Sequence, residues 1–265
     1  MEQKIRFYTE QTLKSWDQAA EVHERRNPEL INRVSENTYN GLEPDFNRLM
    51  DSQDITGKSV VQVCCNNGKD LISIKNKGAG YCLGIDGSRK FVEQARALAN
   101  ASPHSDLQFE HHNIYALPDS YNNTFDFAVV TVGVLAWMPR VKEFFSIVSA
   151  LLKPGGILLM EEIHPVLNMY EEGTPSSLAY SYFDRSAQRE EGGLDYFAGE
   201  KYESAENYCF QHTFSDILMA AISADFSLQY IEELPANVGN YCADLEETPA
   251  NPPLAFIAKW KKAHE

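Results

Sequence analysis

At 265 residues, with 43% hydrophobic and 11% aromatic residues, the chain is long enough to bury a sizeable core and too apolar for a disordered segment. The net charge of −15 is unevenly placed: residues 161–250 hold 18 Asp and Glu against 3 Lys and Arg, whereas the remainder holds 20 of each. Residues 161–250 therefore lack the basic footprint that DNA, RNA or an anionic membrane would require, and five cysteines without CxxC spacing favour reduced, buried thiols over a disulfide framework.

Residues 1–55 read as a polar helical cap, with Trp16, Val22 and Leu30 as apolar anchors and Pro28, Gly41 and Pro44 as breaks. From Ser59 the texture alternates. SVVQVCC predicts a buried strand, and the segment from Gly68 a helix ended by Gly78. YCLGID predicts a second strand, and SRKFVEQARALANA a helix behind a Ser88 N-cap, with Phe91, Ala95, Leu98 and Ala99 on one face. LQFEHHNI and FDFAVVTV give two more strands, the latter wholly apolar as a central parallel strand requires. A helix at VKEFFSIVSALL, the turn KPGG and a fifth strand at GILLMEEI follow.

Residues 165 to about 210 interrupt the alternation with acids, Gly and Pro breaks and, as far as Tyr208, eight aromatics: Tyr170, Tyr180, Tyr182, Phe183, Tyr196, Phe197, Tyr202 and Tyr208. Such a length predicts an inserted lid or substrate-binding segment. Beyond it come a helix (TFSDILMAAISADF) and strands at SLQYIEEL and PLAFIAKWK. The expected architecture is α/β: a doubly wound, Rossmann-like, seven-stranded sheet, parallel except for its last strand, formed by 56–164 and 211–265. The longest apolar run, FAVVTVGVLAWM, falls short of the roughly 20 residues of a bilayer crossing, and MEQKIRFYTE has no secretory apolar segment, so a cytoplasmic location is expected.

In an open α/β sheet, ligands bind beyond the carboxyl ends of the strands, where the strand order reverses. The loop Cys64–Gly68 falls there. It retains one glycine of a dinucleotide fingerprint, which disfavours a nicotinamide oxidoreductase, and no GxxxxGK[ST] string is present. A phosphate-free adenosine cofactor asks for less: a tight turn and a carboxylate for the ribose. Asn66 and Asn67 can enter left-handed backbone conformations in place of glycines. Asp86 stands 18 positions after Gly68, near the spacing of a ribose-binding acid, and Asn113 can offer an amide to an adenine edge.

The series VVQVCCNNG, LGID, HHNIYALP, FDFAVVTVGVLAWM and ALLKPGGILLMEE resembles the motifs of class I S-adenosylmethionine-dependent methyltransferases over residues 59–163. The resemblance implies that the methionine end of S-adenosyl-L-methionine lies on Cys64, Asn66, Asn67 and Gly68, its ribose on Asp86 and Gly87, and its adenine near Asn113 and Ile114. Thr131 and Val132 complete that set, and S-adenosyl-L-homocysteine is the expected product. The chain departs from the family at Gln62, where an acid is usual, and at Cys64 and Asn66, where glycines are. Asp70 is a candidate to supply the missing charge.

Methyl transfer is an in-line displacement from a sulfonium, so a base is needed only when the acceptor must lose a proton. His164 in EEIHP is the leading candidate and His212 the second; a histidine bonded at a strand end is the alternative reading of His164. Tyr8, Trp16, Trp137 and Tyr182 are candidates for the substrate, although packing accounts for each as well. Cys64, Cys65, His111 and His112 alternate across strands, which argues against a metal site. The expected partner is a small neutral or cationic molecule, and not a nucleic acid or a membrane. The rival reading is a binding or regulatory protein of the same fold without catalysis.

Overall fold

The computed structural model describes residues 2–190, 192–195 and 201–264. Tyr196 and Phe197, two of the eight aromatics expected in the lid, lie outside these residues. The chain opens with three helices, α1 (Glu2–Arg26), α2 (Leu30–Arg33) and α3 (Pro44–Asp51). There follow β1 (Val60–Val63), α4 (Lys69–Asn76), β2 (Cys82–Asp86), α5 (Arg89–Ala101), β3 (Leu107–His111) and β4 (Phe125–Val130). The central sheet continues with α6 (Val141–Leu151) and β5 (Leu152–Ile163). Four short strands come next: β6 (Tyr170–Glu171), β7 (Ser177–Leu178), β8 (Ala187–Glu190) and β9 (Asn207–Phe210). The chain ends with α7 (Phe214–Ser223), β10 (Phe226–Leu234) and β11 (Ala255–Lys262).

Seven strands form one sheet in the order β10-β11-β5-β4-β1-β2-β3. Only β11 runs against its neighbours, β5 and β10, so the expected architecture is found. Strand order reverses on either side of β1, which pairs in parallel with both β2 and β4. The period-two pattern divides the core. Val61, Val63, Ala128, Val130, Leu158 and Met160 pack with α6 and α7 on one face, while Val60, Val129 and Leu159 pack with α3, α4 and α5 on the other.

Element ends differ from the sequence expectation in places that matter. The first strand stops at Val63, so Cys64 and Cys65 belong to the loop and not to a strand. The third stops at His111. KPGG, expected as a free turn, is the extended start of β5, where Gly155 at φ +75° shifts the register against β4. Gly78, expected to end a helix, stands just past α4 with φ +100°.

Small side chains let α1 approach closely: Thr12, Ser15, Ala19 and Ala20 are all buried. Asp17 ties it to the start of α5, accepting from Ser88 Oγ (2.6 Å) and from Lys90 N (3.1 Å), and Ala20 O accepts from Gln94 Nε2 (2.7 Å). The same helix holds the inserted segment. Thr12 Oγ1 accepts from Tyr208 N (3.0 Å), Gln18 Oε1 from Ala205 N (2.6 Å), and Arg26 pairs with Asp195 (3.1 Å).

Candidate functional site

The loop after β1 turns because three of its residues adopt left-handed backbone: Cys64 (φ +54°), Asn66 (φ +52°) and Gly68 (φ +74°). Asn66 behaves as expected; Asn67 does not share the task, which falls to Cys64. The alternation i, i+2, i+4 makes two non-glycine residues bear a conformation that costs about 1–2 kcal/mol each, so the loop needs external support. Asp86 supplies it. Its Oδ2 accepts from Asn66 N (2.7 Å) and its Oδ1 from Ser88 N (2.8 Å), binding the end of β2 to the loop after β1. Asn66 Oδ1 accepts from Asn67 N (2.7 Å), closing the turn.

Burial pushes the Asp86 carboxyl up to about 6, against the two backbone N–H groups that pull it down. Burial likewise raises both loop thiols well above their ordinary value, with Asp86 adding to the effect. That direction disfavours the thiolate form, and Cys65 is buried in the core beside Phe109. Gly68 and Gly84 are required for a further reason: a Cβ on either would run into the Phe109 ring.

Around this loop the structure gathers most of the predicted cofactor residues. His112 N donates to Asp86 O (3.0 Å), which brings Asn113 to the end of β2. Asn113 Oδ1 accepts from Tyr115 N (3.0 Å), leaving its amide nitrogen for a ligand. Ile114 is buried beneath it, and Gly87 is covered by Leu13 of α1. Thr131 Oγ1 donates to Asp70 Oδ2 (3.1 Å) and accepts from Gln62 Nε2 (3.0 Å). Val132 is half-buried past β4.

The catalytic and substrate candidates divide. His164 is buried at the end of β5, with Nδ1 accepting from Val166 N (3.2 Å) and Nε2 at 3.0 Å from Glu233 Oε1. Nδ1 thus caps the turn after β5, whereas Nε2, close to that carboxylate, makes no hydrogen bond with it, so the leading base candidate is a buried N-cap histidine with one ring nitrogen unpaired. His212 differs. Its Nε2 lies 2.8 Å from Met138 O, and since a carbonyl can only accept, that nitrogen carries the proton and Nδ1 is the basic one. Burial lowers its pKa despite the carbonyl, which keeps the ring neutral.

Trp16 and Trp137 meet edge-to-face with centroids 5.4 Å apart. Tyr8 lies against Tyr208 of the insertion at 4.4 Å. Tyr182 is elsewhere: its hydroxyl accepts from Phe214 N (2.8 Å) and pins the insertion to α7.

Several residues escaped the sequence reading. Glu162 accepts from Val134 N (2.7 Å) and Leu135 N (3.3 Å), shaping the turn that carries Trp137, and burial raises its carboxyl to about 8. Glu161, Ser15, Asn207 and Gln211, like Gln62 which the sequence reading did single out, are buried with polar atoms that have no hydrogen-bond partner. Adjacent acids at the carboxyl end of a central strand were the available signal for Glu161 and Glu162; nothing local marks Ser15, Asn207 or Gln211.

Residues 60–156 match the family model described as a methyltransferase domain. Over those residues, less than half of its length, the chain carries a methyltransferase domain. Among curated proteins, the demethylmenaquinone methyltransferase of Lactococcus lactis is 29% identical over 127 residues, covering 45% of this chain and 48% of that protein. The tRNA U34 carboxymethyltransferase of Pseudoalteromonas translucida is 26% identical over 140 residues, covering 52% of this chain and 42% of that protein. The chain thus aligns with less than half the length of either relative. An S-adenosylmethionine-dependent methyltransferase structure from Mesorhizobium loti superposes with a TM-score of 0.63 at 21% identity, covering 83% of this chain and 96% of that one.

Proposed function

We propose that this methyltransferase domain transfers the methyl group of S-adenosylmethionine to a small-molecule acceptor. The observation that carries the reading is the Asp86–Asn66 bond, which holds a left-handed loop at the point where strand order reverses. The donor set fits the cofactor: a carboxylate at the end of β2, the Asn113 amide, a helix start behind Gly68 without a side-chain cap, and unpaired buried oxygens on Gln62 and Glu161. When bound, S-adenosylmethionine supplies an electrophilic methyl group on a sulfonium.

The chain's own residues orient and shield. Helix α1 and the inserted segment, joined by His23, Arg26 and Thr12, act as a cover that excludes water from the carboxyl ends of the strands. Trp16 and Trp137 flank the acceptor. The unpaired amides of Asn207 and Gln211, with Ser15 Oγ, favour an acceptor carrying hydrogen-bonding groups. His212 Nδ1 receives a proton from acceptors that must lose one. A small acceptor is favoured over nucleic acid by the acidic stretch 161–250, although the Pseudoalteromonas relative is named for action on tRNA. No helix among the described residues is long and apolar enough to cross a membrane.

Calorimetric titration with S-adenosylmethionine, S-adenosylhomocysteine and NADH tests the reading. Micromolar binding of the first two, abolished in Asp86→Ala, is expected; no binding of either makes this a fold without the activity. Once an acceptor is found, His212→Ala should lower kcat by about 10²–10⁴ for a proton-losing acceptor while leaving S-adenosylhomocysteine affinity unchanged.

A further inference from the structure

We propose that Glu161, together with Gln62, Thr131 and Asp70, forms the seat for the α-ammonium group of the methyl donor, so that the negative charge absent from β1 is delivered from β5 and α4. The inference rests on the reading of this domain as one that binds S-adenosylmethionine.

The sheet itself places these groups together. Gln62 pairs with Val129 of β4, and Val129 with Leu159 of β5. Two residues further along β4 and β5, on the same face, stand Thr131 and Glu161. The end of β1, the end of β4 and the end of β5 therefore present a polar row toward α3 and α4, at the edge of the apolar cluster formed by Val60, Val129 and Leu159. Hydrogen bonds run along the row in one direction: Gln62 Nε2 donates to Thr131 Oγ1 (3.0 Å), and Thr131 Oγ1 donates to Asp70 Oδ2 (3.1 Å). That direction is forced, because the Asp70 carboxylate only accepts. It leaves Gln62 with its carbonyl oxygen unused.

The row is short of donors and rich in negative charge. Gln62 Oε1 and Glu161 Oε1 have no hydrogen-bond partner, and both residues are 1% exposed. The charged groups around Glu161 are Glu43 and Asp45 at the start of α3, Asp70 from α4, with Lys69 beside it, and Glu162 on its own strand. Lys69 is occupied, with Nζ 3.4 Å from Asp70 Oδ1 and donating to Gly41 O (3.3 Å). Burial, followed by the repulsion of Glu43, Asp70 and Asp45, holds the Glu161 carboxyl at about 8. A cation that pairs with this carboxyl therefore favours loss of its proton.

An ammonium group has three donors and no acceptor, which answers both the missing donors and the excess charge. A metal ion is a poorer occupant: among the described residues no group of three or more His, Cys, Asp or Glu is placed to hold one. The neighbouring start of α4 extends the argument. Its first turn follows Gly68 with no side-chain cap, apart from a long contact of Asn67 Oδ1 to Lys69 N (3.4 Å), and so offers backbone N–H groups to an anion. Acceptors for an ammonium beside donors for a carboxylate describe an α-amino acid. S-adenosylmethionine ends in one.

The test uses the full chain and two ligands that share an adenosine thioether. S-adenosylhomocysteine has the amino-acid end, and 5′-methylthioadenosine lacks it. Each is titrated calorimetrically at pH 7 into wild type and Glu161→Gln, in two buffers of different ionisation enthalpy. Expected for S-adenosylhomocysteine is proton release on binding to wild type, and a loss of about tenfold or more in affinity together with that release in Glu161→Gln. Methylthioadenosine affinity should stay within about twofold. The double variant Gln62→Glu/Glu161→Gln, which returns the acid to β1, should recover the affinity, and it carries the test if the single variant does not fold. Unchanged S-adenosylhomocysteine affinity and proton release in Glu161→Gln, or equal weakening of both ligands, overturns the assignment while leaving the methyl-donor reading intact. Failure of wild type to bind either ligand removes that reading, and the inference with it.

Discussion

Asp86 Oδ2 accepts the backbone N–H of Asn66 at 2.7 Å, across the gap between two parallel strands. One carboxylate thereby fixes the loop after β1 from the end of β2, and its oxygens keep further lone pairs. The cost is a buried acid held at about 6. Asp86→Asn tests the loop-fixing role, since the amide can accept from one backbone N–H and must confront the other with a donor or a poorly placed oxygen. We expect a loss of about 1–3 kcal/mol in urea unfolding, with S-adenosylhomocysteine affinity reduced further than stability alone would explain. A variant that melts and binds as wild type would show that the loop holds itself.

Much of this arrangement was legible in the sequence, for reasons that can be named. Buried parallel strands read as apolar runs, so VVQV and FDFAVV announced β1 and β4, and the spacing from Gly68 to Asp86 marked an acid that does stand at the neighbouring strand end. Less legible were side-chain partners across long separations. His164 looked available because nothing near it in the chain shows Glu233, 69 residues away, beside its ring. The same holds for Tyr182 and Phe214, and for the joint between α1 and the insertion. Asn67 was credited with a left-handed turn that Cys64 makes instead. Intrinsic preference ranks cysteine below asparagine there, and the support from Asp86 overrides the ranking.

The joint between α1 and the inserted segment should loosen in acid. His23 Nε2 donates to Leu194 O (2.7 Å), and burial lowers the His23 pKa below 6.5, against the favourable carbonyl and Asp195. The unfolded or undocked state binds a proton more readily than the docked one, so this contribution is fully present above pH 6.5 and declines as pH falls through and below it. Limited proteolysis at pH 5.5 and 7.5 should cut the segment 181–206 faster at the lower pH. His23→Gln, which can donate to the same carbonyl without titrating, should flatten that difference. Equal cleavage rates for wild type at both pH values would dismiss His23 as the latch.

Phe109 of β3 lies where a side chain on Gly68 or Gly84 would have to go, yet the two glycines are needed for different reasons. Gly84 sits in β2 with ordinary strand geometry, so its requirement is steric: an added Cβ meets Phe109 and stands 2.9 Å from Cys65 Sγ. Gly68 combines the same collision with φ +74°. Gly84→Ala and Gly68→Ala should each destabilise the protein by about 1–3 kcal/mol through overpacking, with backbone strain of about 1–2 kcal/mol added at Gly68. Replacing Phe109 by Leu removes the ring atoms in the way at the cost of some packing. In thermal melts, Phe109→Leu should therefore recover part of the stability lost in Gly84→Ala, and less of that lost in Gly68→Ala. Cofactor affinity should separate them further. The Gly84→Ala/Phe109→Leu pair keeps the loop's conformation and should still bind S-adenosylhomocysteine, whereas Gly68→Ala/Phe109→Leu leaves a strained residue at the start of α4 and should bind more weakly. Equal rescue at both positions would mean that Gly68 is required only for space, and that the left-handed turn after β1 can be met by an alanine.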